Sequence, residues 1–229
     1  MQELSDIYKS LRQDPGVWKE VKVEIAGEVY EEDRLVNLRV YGGLFMESTL
    51  CIGSAVSRQI RLTVRDPGVI PRMAEIKPFF RLAKDGLVSE WVQKGVFYIN
   101  TREPSDAENT LIINGFDSMM KSERVWEPEQ SLVFPMDQRT AAAHIAQLMG
   151  VELENPEEID TGYFVDYPAN DYTQRNILQF IAGANGGNFT MTDTGKLRLV
   201  KVNDLPAETD YLVTETGQNI LIGGVRILV

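Results

Sequence analysis

The sequence predicts an α+β chain in which antiparallel strands come first and helices with a small hairpin come later. Three observations carry that prediction. Apolar and polar residues alternate with a period of two in one segment after another up to about residue 116. Turn-forming runs such as Asp66-Pro67-Gly68 separate these segments at short intervals, which leaves no room for crossover helices. Apart from a short helical pattern at the very start, helical patterns appear only afterwards, at 140–149 and 173–184. The early strands are therefore expected to form an antiparallel sheet curled into a barrel or a sandwich.

Leu4, Ile7, Tyr8 and Leu11 recur at helical spacing and predict a short amphipathic helix, ended by Asp14-Pro15-Gly16. In WKEVKVEI, Val21, Val23 and Ile25 alternate with Glu20, Lys22 and Glu24, and in LVNLRVYG, Val36, Leu38 and Val40 oppose Asn37, Arg39 and Tyr41. Glu31, Glu32 and Asp33 crowd the turn between them. SRQIRLTVRDPG repeats the alternation with Ile60, Leu62 and Val64 on the buried side. In MAEIKPFFRL, Ile76, Phe80 and Leu82 share a side with Pro78, which cannot donate to a ladder and so predicts an edge strand or a bulge. Glu90 to Asn100 and Thr110 to Phe116 supply two more strands around a polar REPSDAEN loop.

The helices TAAAHIAQLM and TQRNILQFIAGA each open on a threonine and end near glycine. GGNFTMTDTGKLRLVKV reads as a hairpin over 188–202 that turns at Asp193-Thr194-Gly195. ELENPEEIDTG reads as a solvated connector, and the chain is expected to divide into a β-rich part, 1–125, and an α+β part, 126–229. The terminal NILIGGVRILV is an apolar strand that needs either a covering partner or a continuation of the chain, in which second case the second part would be truncated.

A length of 229 residues is ample for a core without staples. Cys51 is the single cysteine, which excludes an internal disulfide and any multi-cysteine metal site. No apolar run is long enough to span a membrane, and the first residues lack a signal peptide's layout. A net charge of −11 opposes a phosphate-gripping surface. The imbalance is uneven: residues 1–120 carry 15 basic and 18 acidic side chains, and 121–229 carry 8 and 16.

His144, the single histidine, sits among alanines on a helix and reads as a packing residue. Cys51 in TLCIGSA reads as a small hydrophobe. Glu31, Glu32 and Asp33, like Glu157, Glu158 and Asp160, could in principle supply a carboxylate pair, but each set reads as a solvated loop. Gly195-Lys196 lacks the glycine and hydroxyl residue of a phosphate loop, and GANGGN follows a helix where a dinucleotide fingerprint needs a strand. Asn188-Phe189-Thr190 matches a glycosylation acceptor by chance. No catalytic, cofactor-binding or metal-ligating residue is predicted, no cofactor is expected, and the chain reads as a scaffold with interfaces.

Five phrases in order carry a resemblance. They are TLCIGSAVSRQIRLTV (Thr49 to Val64); IPRMAEIKPFFRL; EWVQKGVFYIN with Trp91, Gly95, Phe97, Tyr98 and Ile99; Gly115-Phe116-Asp117-Ser118-Met119; and the helix from Thr173 to Gly187 with the hairpin from Gly195 to Leu199. Together they span most of residues 18 to 202, and the chain resembles the tail-tip or baseplate hub proteins of tailed phages and prophages, a group related to contractile-tail hubs. The resemblance implies a tube-type β-barrel and a homotrimer forming a pseudo-sixfold ring that continues the tail tube. It also implies DNA passing through the bore without specific binding, contacts to distal tail, tail-tube and tape-measure proteins, a place in the virion after assembly in the bacterial cytoplasm, and no enzymatic activity. The alternatives are a carbohydrate-binding or wall-degrading tail enzyme, and the hub of a phage-derived injection or bacteriocin-like device.

Overall fold

The computed structural model describes residues 4–44, 51–105, 109–129, 131–168 and 171–202, together with the backbone of 221–222 and 225–226. Helix α1 (Asp6–Arg12) starts where the Ser5 hydroxyl accepts the Tyr8 N–H. It buries Tyr8 and Leu11 against Leu82 and Val92, while Ile7 faces solvent, so its apolar stripe is narrower than the spacing predicted.

Nine strands make one antiparallel sheet: β1 (Trp18–Ile25), β2 (Glu28–Tyr30), β3 (Leu35–Tyr41), β4 (Gln59–Arg65), β5 (Glu75–Lys84), β6 (Leu87–Val88), β7 (Val92–Gln93), β8 (Phe97–Pro104) and β9 (Thr110–Asp117). The order is β2-β1-β5-β8-β9-β4-β3, with β6 and β7 also paired to β5. All seven strands of that path send residues into one core, including Val23, Tyr30, Leu35, Leu62, Ile76, Phe97 and Ile113, so the sheet curls around its own inner face. It does not close into the expected barrel. Closure needs two edges of matching length. Here β2 has three residues, and the chain leaving β3 runs off to another sheet. The two ends meet instead through side chains: the Tyr30 hydroxyl donates to the Pro67 carbonyl at 2.8 Å, and Arg34 donates to the Asp66 carbonyl at 2.8 Å.

Three details differ from the alternation read in the sequence. A bulge between Leu35 and Asn37 turns Leu35 inward and Val36 outward, a phase change that a strict period of two cannot show. Pro78 lies in β5 in the middle of the sheet, not on an edge. Its carbonyl accepts from Lys94 N–H, so its missing donor faces the gap where β5's partner changes from β8 to β7. That gap also splits the predicted strand 90–100 in two, around Gly95 at φ +130°.

Beyond β9, Asp117 caps a 3-10 helix (Ser118–Glu123). There follow β10 (Met136–Asp137), α2 (Gln138–Met149), a 3-10 turn (Pro156–Glu158), β11 (Phe164–Val165), α3 (Gln174–Ala184), β12 (Gly187–Met191) and β13 (Leu197–Lys201). Helix α2 is capped by Asp137, with Thr140 as the donor inside the first turn; α3 opens on Thr173 in a reciprocal capping box with Asn176, as its threonine predicted. Trp126, Ile145, Leu178, Phe189 and Leu199 pack into a second core that also takes in Ala55 and Met119.

The predicted connector ELENPEEIDTG is no free linker. Leu197 N–H donates to Glu152 O, Glu154 N–H donates to Leu197 O, and Asn155 exchanges hydrogen bonds with the Leu199 backbone, which makes 152–155 an extra lane on β13. Ile159 is fully buried. Of NILIGGVRILV, only a two-residue hairpin backbone of β14 (Leu221–Ile222) and β15 (Val225–Arg226) is described, and the remainder lies outside the described residues.

Candidate functional site

The functional question centres on the joint between the large sheet and the helical part. After β3 the chain runs alongside β12 in parallel: Gly53 N–H donates to Gly187 O, Phe189 N–H to Ser54 O, and Val56 N–H to Phe189 O. Asn188, fully buried, locks this clasp with both ends of its amide. Its Oδ1 accepts the Ser54 N–H at 2.8 Å and its Nδ2 donates to the Cys51 carbonyl at 2.7 Å. The hairpin is thus held on one side by 53–56 and on the other by 152–155.

A charged node lies next to the clasp. Arg58 donates one guanidinium nitrogen to Asp193 Oδ1 and another to Lys94 O, both at 2.8 Å, and sits over the Phe97 ring. Gln93 Nε2 donates to the Asp193 carbonyl, and Lys94 Nζ reaches Asp193 Oδ2 at 3.4 Å. Below them, Asp117 accepts from Arg58 N–H, the Ser57 hydroxyl and Met119 N–H. Burial pushes the Asp117 carboxyl above the usual range, and these three donors together with the Arg58 charge pull the other way. The arrangement ties the large sheet to the hairpin through a charged, hydrogen-bonded joint. Sequence reasoning missed Arg58, which lies one residue before its strand. Asp117 stood inside the GFDSM phrase, and an Asp before a helical Ser-Met turn was the signal that could have found it.

The residues weighed for chemistry fall elsewhere and do not converge. His144 is buried beneath α2, where its Nδ1 accepts from Trp126 Nε1 at 3.2 Å. Its Nε2 meets no hydroxyl or thiol among the described residues. Cys51 Sγ lies 3.1 Å from Ser54 Oγ, within the clasp. Glu31, Glu32 and Asp33 are exposed between β2 and β3. Glu158 pairs with Lys201 at 3.1 Å, Asp160 accepts Gly162 N–H in a turn, and Glu157 is exposed. Gly195 forms the hairpin turn at φ +84°, and Lys196 pairs with Glu152, which raises its pKa. The GANGGN run is the end of α3 and the start of β12, and burial of Asn188 closes that position to glycosylation. Among the described residues no group of His, Cys, Asp and Glu could hold a metal ion, and no helix is long and apolar enough to cross a membrane. The concavities are open grooves, such as one of about 590 Å³ between Gln59, Asn100, Phe116 and Gln179.

The sequence matches no protein-family model and no curated protein. Solved structures do share its fold. The 43 kDa tail protein of prophage MuSo2 from Shewanella oneidensis superposes with a TM-score of 0.56 at 13% identity, over 89% of this chain and 60% of that one. A tail protein from Neisseria meningitidis MC58 gives 0.53 at 14% identity, over 88% and 58%. The chain therefore spans about three fifths of the length of these neighbours. The overall fold of this chain is thus one it shares with a prophage tail protein and a second bacterial tail protein.

Proposed function

We propose that this chain is a structural component of a phage or prophage tail, the protomer of a trimeric tail-tip or baseplate hub ring that continues the tail tube and passes DNA. The observation that carries the reading is the shared fold over nearly the whole chain; on this reading residues 1–125 would supply the ring-forming part and 126–229 the second module. The joint around Asn188 and Arg58 supports it, because a ring transmitting load needs its modules fixed relative to one another. Its neighbours are distal tail, tail-tube and tape-measure proteins, and its place is the virion. The net charge of −11 suits a bore that lets DNA slide, since a lumen of negative potential does not retain phosphates. Light-scattering mass and negative-stain images of the full chain test this across a concentration series. Particles of three chains with a central opening are expected. A chain that remains monomeric at every concentration, or a bore lined by unpaired basic side chains, sinks the reading.

A further inference from the structure

The outward face of the sheet divides into two chemically different halves. On β1 and β5 the cations have partners: Arg81 pairs with Glu20 at 2.6 Å, Lys22 with Glu24 at 3.3 Å, Lys77 with Glu75 and Lys84 with Asp14, while Lys19 lies over the Phe80 ring. On β3 and β4 the pattern breaks. Arg39 lies directly opposite Arg61 in the ladder, and Arg65 follows four residues further along β4 on the same face. All three are exposed, and none makes an ion pair or side-chain hydrogen bond among the described residues. Directly opposed residues sit with Cβ atoms about 5 Å apart, and like charges there destabilise a sheet. This cost falls on a strand, β3, whose other edge has no partner strand among the described residues.

A second exposed stretch of the same chain has the opposite character. Along 163–168 and 171–172, Tyr163, Phe164, Asp166, Tyr167, Asp171 and Tyr172 are all exposed, and neither aspartate is ion-paired among the described residues. Aromatic rings and carboxylates are the two kinds of group a guanidinium binds best, through stacking and paired hydrogen bonds. Resting on the ring reading above, we infer that the Arg39–Arg61–Arg65 face beside β3 docks onto this acidic aromatic surface of a second copy of the chain. The two patches differ, so the contact runs head to tail, the geometry that closes rings. A nucleic acid is the disfavoured occupant, because the chain's net charge of −11 repels a polyanion before it reaches three arginines.

The test needs no other protein: the full chain alone is measured by light scattering at low and high salt. Arg39→Glu/Arg61→Glu and Asp166→Arg/Asp171→Arg are each expected to weaken self-association by about tenfold or more, and their equimolar mixture is expected to regain it by pairing the two variants with each other, since the unaltered faces and the two reversed faces are both of opposite charge. Added salt weakens the wild-type contact. Arg61→Gln relieves the opposed charges, so its melting temperature rises in the monomer while its association falls, a split that a purely structural arginine would not produce. If wild type forms trimers and both charge-reversed variants do so equally well, or if the mixture fails to pair, this docking is wrong and the ring reading stands. A wild type monomeric at every concentration ends both. Duplex DNA binding, read by fluorescence anisotropy, that disappears in Arg39→Glu/Arg61→Glu overturns the assignment in favour of a polyanion.

Discussion

Replacing Asn188 by leucine keeps the side chain's approximate volume and removes both of its hydrogen bonds. The Ser54 N–H, in a residue only 5% exposed, then loses its acceptor, and the Cys51 carbonyl loses its donor. A buried backbone group left unsatisfied costs about 1–3 kcal/mol. Cys51 is half-buried, so water recovers part of its share, and the expected total is about 2–4 kcal/mol in urea unfolding at pH 7. The loss is local first. Amide exchange at Val56 and Phe189, whose bonds form the clasp, accelerates before the large sheet loosens. Asn188→Asp separates acceptor from donor. A carboxyl there still accepts from Ser54, but only its protonated form can donate to Cys51, so its folded pKa is raised. The variant's stability is then present below the ordinary carboxylate pKa and is lost as pH rises. A leucine variant within about 0.5 kcal/mol of wild type, with unchanged exchange at Val56, would refute the view that Asn188 holds the joint.

Gly115→Ala places a Cβ 2.6 Å from the Tyr98 carbonyl oxygen and 3.1 Å from Ile60, where backbone cannot yield, and is expected to cost about 2–3 kcal/mol by thermal melting. Arg58→Met keeps much of the stem over Phe97 but drops two charge-assisted bonds, for an expected loss of about 1.5–3 kcal/mol; Arg58→Lys recovers only part, because an ammonium cannot fork to Asp193 and Lys94 O together. Asp137→Ala removes the α2 cap and costs about 1 kcal/mol at neutral pH. Burial opposes the Asp137 carboxylate, but the Thr140 N–H and hydroxyl outweigh it and hold its pKa below the usual value. The cap's contribution is therefore complete above the ordinary carboxylate pKa and fades as pH falls through the depressed folded value, so wild type and variant melting temperatures converge in acid.

The alternation in WKEVKVEI and SRQIRLTV names the buried residues of β1 and β4 because a half-buried strand has no freedom to hide its period. Thr173 and the glycines after α3 announce that helix for a similar local reason, since orphan backbone groups at helix ends need nearby partners. Phase changes were hidden: nothing in LVNLRVY marks Val36 as the bulge, and Pro78 looks like an edge residue until its neighbour strand is seen to break beside it. The joint was hidden more deeply. Asn188 and Ser54 are 134 positions apart, Arg58 and Asp193 are 135 apart, and no periodicity links such distant positions. The sequence by itself determined which segments become strands and helices and which of their faces turn inward, because those choices are local. Only the tertiary structure decided that the sheet stays open, that a presumed linker becomes a sheet lane, and that three arginines stand without carboxylates among the described residues, because each depends on which distant residues folding brings into contact.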